Sequence, residues 1–304
     1  MGVRETEYQF KPVTSCNMCG ANSSKFKRLG KRLDKSQKLF PIKKQGRSIP
    51  IFMCRNCGLV FSNPQPIPRD LQDHYGVSPE QYWSPEYFEI KENYFRSEIE
   101  TLQKLTSHEL GLKTLDIGAG VGKQMIALKK SGYETYGIEP SVPFYQMAIE
   151  KMGIEQDHLK CISIEAAEYD QNTFDFISFG VVLEHLYDPS AAIIKAMKWL
   201  KPQGVVHIEV PSSRWLIGKL INTYYKLSFQ DFVGNLSPMH EPFHLYEFGL
   251  ESFKQHAKKN DYTIAHHEYY VCQTFLPKVF DRIVKPYMKH TDQGMQFCVW
   301  LRKN

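Results

Sequence analysis

The chain has 304 residues, with 42% hydrophobic and 23% charged residues and a net charge of +5, values of an ordinary globular protein long enough for two domains. No apolar run reaches bilayer-spanning length, and residues 1–10 lack the apolar core of a secretion signal, so a cytoplasmic location is expected. The charge is too mild to name a partner, while four of the seven cysteines form two C-x-x-C pairs and point to metal rather than to disulfides.

Residues 1–68 read as a small zinc-ribbon-like module. Cys16-Asn17-Met18-Cys19-Gly20 and Cys54-Arg55-Asn56-Cys57-Gly58 are two matched knuckles. Each lets two thiolates face one ion while backbone N–H groups point at sulfur, so Cys16, Cys19, Cys54 and Cys57 suit a closed, tetrahedral, structural zinc site. One pair would suffice for redox work, and neither has a thioredoxin-like context. Between the knuckles, from Lys25 to Arg47, ten Lys or Arg accompany one acid, Asp34. That insert reads either as a solvated hairpin or as a surface for an anionic partner such as RNA, a nucleotide-linked substrate or a membrane face. Residues 52–61 read as strand, and the prolines of 63–68 as a stiff extended linker.

Residues 69–111 read as linker and lid. A helix is expected at 70–75 and a long one over 85–110. Between them lies a tyrosine-rich stretch with Tyr75, Tyr82 and Tyr87, suited to covering a ligand or to packing between domains.

Thr114-Leu115-Asp116-Ile117-Gly118-Ala119-Gly120-Val121-Gly122-Lys123 then reads as strand, glycine turn and helix start. Such a unit builds a nucleoside-binding crevice at the carboxyl edge of a parallel sheet. The dinucleotide fingerprint needs a third glycine at position 123, where Lys123 stands. Glu139 ends a second strand at 133–138 and suits ribose hydroxyls, while Asp116 suits a cationic group such as an ammonium. A ligand with an amino-acid end, a ribose and no pyrophosphate is S-adenosylmethionine (SAM). Further strands are expected at 159–164, 174–179 and 205–210. The intervening helices at 142–152 and 191–200 make the sheet parallel and doubly wound.

Taken together, 112–210 resembles the class I SAM-dependent methyltransferases. The resemblance implies an α/β fold with a seven-stranded Rossmann-like sheet over 112–304. It implies SAM contacts from Asp116, Gly118, Ala119, Gly120, Glu139 and Pro140. Glu165 and Ala166 are placed at the adenine, and Phe179 and Gly180 beside the methyl group. Leu183-Glu184-His185-Leu186 resembles a segment that, in quinone-pathway relatives, holds a divalent ion together with an earlier glutamate. Val181 stands at that earlier position, which leaves His185 as a proton acceptor or a loop-fixing residue.

In the last third, 212–248 reads as an inserted substrate wall, with 212–235 mostly helical. The H-L-Y-x-F run ending at Phe248 resembles the loop before the last helix of many small-molecule methyltransferases, and it places His240, Glu241 and His244 on the substrate side. His244, His240 and His185 are the candidates for the base that a hydroxyl nucleophile requires. A helix follows at 249–259. Residues 262–271 and 295–302 are expected to close the sheet as an antiparallel pair. The amphipathic helix expected at 275–287 reads as a homodimer contact or a pocket lid. The layout resembles bacterial methyltransferases of surface-glycan and sugar-modifying pathways, implying O-methylation of a small-molecule or glycan acceptor. The alternatives are an RNA methyltransferase that uses the zinc module and basic insert, and a SAM-binding scaffold without activity.

Overall fold

The computed structural model describes residues 7–34, 47–70, 72, 75, 79–82 (side chains only to 80), 88–107, 111–236, 242–272, 274 and 276–304. Strands β6 (Lys113–Ile117), β7 (Glu134–Ile138), β8 (Leu159–Lys160), β9 (Phe174–Gly180), β10 (Leu200–Pro211), β13 (Tyr262–Tyr270) and β14 (Gln296–Lys303) form one seven-stranded sheet. Their order is β13-β14-β10-β9-β6-β7-β8. The five adjacent strands from β10 to β8 run parallel, and β14 pairs antiparallel with both β10 and β13. This is the expected Rossmann-like α/β sheet. Its strand order reverses between β6 and β9, which opens a crevice above the carboxyl ends of those two strands. Leu115, Ile117, Ile177 and Phe179 are fully buried there and make the sheet's centre the core.

Several expected elements take different bounds. Residues 159–164 give only the two-residue edge strand β8, because the chain turns back as Ile162 N–H donates to Lys160 O at 3.1 Å. The long helix is present as Arg96–Leu105; Phe95 before it has φ 60° and sets its ring 5.6 Å from His207 in the core. Residues 83–87 and 108–110 lie outside the described residues. Helix 275–287 is displaced to Lys278–His290, with Pro277 as its N-cap at the extended ψ of 135°.

The N-terminal segment does not end at residue 68 as a separate sheet. Strands β2 (Phe26–Arg32), β3 (Pro50–Cys54) and β4 (Val60–Ser62) form a five-stranded sheet with β11 (Phe232–Val233) and β12 (Tyr246–Glu247). Residues 52–61 are thus a hairpin with the second knuckle at its turn. The proline-rich 63–68 is also partly strand: β5 (Gln65–Pro68) pairs with β1 (Tyr8–Lys11) as an isolated edge, where proline is tolerated. Arg28 pairs bidentately with Asp231, and Lys31 N–H donates to Asp231 O at 2.8 Å. One buried cluster joins Cys16, Cys54 and Phe61 to Ile117, Phe179 and Phe248, so both sheets share a core. No helix among the described residues is long and apolar enough to cross a membrane.

Candidate functional site

The glycine loop sits at the sheet's switch point. Gly118 and Ala119 N–H groups both donate to Ile138 O, at 2.8 and 3.0 Å, which folds the loop back over β7. Gly118 has φ 71°, and a Cβ there would lie 2.5 Å from Val182 Cγ2, so only glycine fits. At Gly120 (φ 58°) the nearest atom to such a Cβ is Phe144 Cδ1 at 3.9 Å. The loop is therefore packed against protein at its first glycine and open at its second, as a backbone that must be approached by a ligand requires.

Glu139 is the acid that holds this loop. Its carboxylate accepts Gly120 N–H at 2.7 Å and Ser141 N–H at 2.8 Å, and it is 6% exposed. Burial raises its pKa to about 7 despite those two donors. A carboxylate offers about four acceptor positions, so ribose hydroxyls can still be accepted. The lid reaches the same crevice. Ser141 Oγ donates to Tyr75 O at 2.7 Å, and Gln72 Nε2 donates to Pro140 O at 2.8 Å. Burial raises the Tyr75 phenol well above its ordinary value, with Tyr187, Glu165, Glu139 and Glu184 adding to the effect. Tyr75 thus lies near enough to these three acids for their charge to act on it. An ammonium, a ribose and an adenine amino group all suit acids and backbone carbonyls, so these residues fit SAM.

Asp116 is turned inward. It accepts from Gln124 Nε2 and Ser178 Oγ, both at 3.0 Å, and is 3% exposed. Burial lifts its pKa to about 7. Phe179 is likewise wholly buried in the core, so at the expected methyl position this residue offers only backbone. Ala166 N–H, expected at the adenine, donates to Ser163 O at 3.2 Å, while Glu165 is exposed.

On the side where the acceptor is expected, a short 3-10 turn (Leu183–His185) follows β9. Before it, Val181 holds φ 59°, a left-handed conformation costly for a β-branched residue. Glu184 is completely buried, and neither carboxylate oxygen has a hydrogen-bond partner among the described residues. His244 Nε2 lies 3.8 Å from its Oε1, within ion-pair range. Burial raises Glu184 well above the ordinary range. The His185 ring packs edge-on against His244 at 4.8 Å, and its Nδ1 is 3.1 Å from Phe243 O. A carbonyl only accepts, so Nδ1 carries the proton. Burial lowers His185 to about 4 and keeps it neutral. His240 and Glu241, with Tyr82 and Tyr87 of the lid, lie outside the residues whose side chains are described.

The N-terminal sheet supports this loop directly. Arg32 is fully buried; its Nη1 donates to His244 O at 3.2 Å and its Nε to Arg47 O at 2.9 Å. Its guanidinium lies 4.5 Å from the Phe243 ring centroid. Burial lowers it only to about 10, so it stays charged. Ser62 N–H donates to Leu245 O at 3.1 Å.

At the β3–β4 turn of that sheet the four cysteines converge. Their sulfurs all lie within 4.8 Å of one another, with Cys16–Cys57 at 3.5 Å and Cys19–Cys54 at 3.6 Å. A tetrahedron with Zn–S bonds of ~2.3 Å has edges of ~3.8 Å, so the donor set fits zinc. Gly20 and Gly58, at φ 72° and 73°, close matching turns onto Cys16 O and Cys54 O. Asn17 of the first knuckle accepts Ser190 N–H at 2.8 Å and donates to Asp188, whose carboxylate caps helix Pro189–Trp199. Sequence reasoning missed Arg32, Gln124 and Ser178. None stands in a motif, and only the fold brings them to the site.

A family described as "Methyltransferase domain" matches residues 87–267, well over half of the chain. A ubiquinone biosynthesis O-methyltransferase of Bradyrhizobium diazoefficiens is 28% identical over 109 residues, 34% of this chain and 42% of that protein. Phosphoethanolamine N-methyltransferase 3 of Arabidopsis thaliana is 33% identical over 104 residues, 32% of this chain and 21% of that protein. The matched stretch spans less than half the length of either relative. Among solved structures, a SAM-dependent methyltransferase from Mesorhizobium loti has a TM-score of 0.48 at 13% identity, covering 68% of this chain and 98% of that one.

Proposed function

The chain belongs to this methyltransferase family and is a SAM-dependent methyltransferase; from that premise we propose that it O-methylates a small-molecule or glycan acceptor, with His244 as proton acceptor. Bound in the crevice, SAM supplies a methyl group already activated by its sulfonium charge. Glu139 holds the ribose, the backbone of Gly118, Ala119 and Gly120 lines the loop, and Pro140, Glu165 and Ala166 border the base. Asp116, tied to Gln124 and Ser178, fixes the floor and supplies negative charge beneath an ammonium. Gly180 presents backbone at the transfer point.

As the acceptor oxygen bonds the methyl carbon and the carbon–sulfur bond breaks, its electron pair leaving on sulfur, His244 takes the hydroxyl proton. The resulting imidazolium stands beside Glu184, 3.8 Å away. Burial alone disfavours the Glu184 carboxylate, and a neighbouring positive charge favours it, so the pair accommodates the proton as a unit. His185, neutral and bound to Phe243 O, is too weak a base for this step and orients the loop. Zinc on Cys16, Cys19, Cys54 and Cys57 would hold the sheet from which Arg32 reaches His244, making residues 1–68 a structural part of the acceptor site.

The observation that carries this reading is His244, 8% exposed, facing the fully buried Glu184 just past β9. The test is transfer of labelled methyl from SAM to extracted small-molecule, glycan and RNA pools. Label in a hydroxyl-bearing small molecule or glycan is expected. Label in RNA alone would overturn the acceptor assignment.

A further inference from the structure

Two surface helices carry apolar rows that no described residue covers. In the helix Leu216–Leu227, Leu220, Tyr224 and Leu227 recur at intervals of four and three and are 53%, 64% and 74% exposed. Phe229 follows at the tip of the turn, 99% exposed and held at φ 55°. In the helix Lys278–His290, Val279, Phe280, Ile283 and Tyr287 form a second row, each more than half exposed. Met288 is its one buried residue. Isolated exposed apolar side chains need no explanation, but rows at helical period do.

The charge carried by these two helices is mostly positive. Lys278, Arg282, Lys285 and Lys289 stand on the second helix against a single acid, Asp281, which already bonds Thr274 Oγ1 and faces Lys285 at 3.2 Å. Residues 214–229 carry Arg214, Lys219 and Lys226 and no acid. The helices meet at a corner: Arg214 Nε donates to Asp292 O at 3.0 Å, and Leu216 N–H donates to Gln293 O at 3.2 Å. A basic or neutral protein partner would leave these cations without counter-charge. A sheet of anionic headgroups over hydrocarbon satisfies both the cations and the apolar rows, and tyrosine suits the boundary between them. Neither helix is long and apolar enough to span, so the contact lies in the plane of the surface.

We propose that helices Leu216–Leu227 and Lys278–His290 form a docking surface for anionic lipid bilayers. The test is co-sedimentation of the full chain with phosphatidylcholine vesicles, with and without about one third phosphatidylglycerol. Binding is expected to the anionic vesicles only and to weaken with salt. The double variant Phe280→Asp/Ile283→Asp should lose binding by at least about tenfold, and Lys285→Glu/Lys289→Glu by about tenfold. SAM affinity, measured on each variant by calorimetry, should be unchanged and certifies folding. Wild type that ignores anionic vesicles, or binding that survives both double variants, overturns the proposal. So does a dimer in sedimentation velocity that the apolar variant splits while wild type binds no vesicles, since the rows would then be self-contacts.

Discussion

The proposed cofactor half and the proposed acceptor half of the site are built in opposite ways. The first is continuous: β6, the glycine loop and Glu139 lie within 27 residues, and their bonds close locally, as when Gly120 N–H meets Glu139. The second is assembled from three distant stretches. Glu184 follows β9, His244 comes from the loop before β12, and Arg32 arrives from the N-terminal sheet, 212 positions from the carbonyl it holds. Damage to the first half should therefore appear as lost SAM affinity, and damage to the second as lost turnover with SAM affinity intact.

The largest separation is expected from His244→Gln. Turnover should fall by roughly 10²–10⁴-fold while SAM affinity stays within error. If turnover survived, the base would be His240 or no base would be needed, and the acceptor half would have been located wrongly. Glu139→Ala tests the other half. Losing a charged acceptor for hydroxyls costs about 1.5–3 kcal/mol, so SAM affinity should drop by on the order of ten- to a hundredfold in calorimetry. An unchanged affinity would remove Glu139 from the cofactor site.

Arg32→Met comes next, because it joins the halves of the molecule rather than touching ligand. Losing the hydrogen bonds to His244 O and Arg47 O should lower kcat by about tenfold with the KM for SAM unchanged. Arg32→Lys, which keeps the charge but not the fork, should recover part of the loss. A fall in SAM affinity equal to the fall in kcat would mean that the N-terminal sheet supports the whole fold rather than the acceptor loop.

This difference in construction also explains what could be read from the sequence. The strand–glycine loop–helix unit, Glu139 and both knuckles are encoded in short windows where spacing alone carries the geometry, and the expected parallel sheet closed by an antiparallel pair is the one observed. The mixed sheet was not readable. Strands β11 and β12 are two residues each, too short for any alternation to show, and they pair with strands about 200 positions away. Asp116 illustrates a subtler limit. Its position in the motif predicts an acid at the site, yet its orientation is decided by Gln124 and Ser178, which only the packed helix and β9 bring to it.

The smallest effect concerns Glu247, whose carboxylate holds Asn235 Nδ2 and Leu236 N–H, each at 2.6 Å, and so ties two parts of the inserted wall together, residues 235–236 and β12. Burial raises its pKa from the ordinary 4.5 to about 7, overriding those two donors. The folded chain keeps this proton more tightly than the unfolded one. Its contribution to stability is therefore complete below about pH 4.5 and is lost as pH rises to about 7. The rise corresponds to about 3 kcal/mol at most. Other groups titrate in the same interval, with opposite sign for His185 and His256, both depressed to about 4 by burial, so the wild-type profile alone does not isolate Glu247. The difference between wild type and Glu247→Gln does. Glutamine keeps the shape, cannot ionise and adds only a constant offset. In thermal unfolding without ligand, the variant should gain on wild type steadily from pH 5 to pH 7 and no further above it. A difference that stays flat across that interval would mean Glu247 is ionised throughout, and that the wall rests on a charged rather than a neutral anchor.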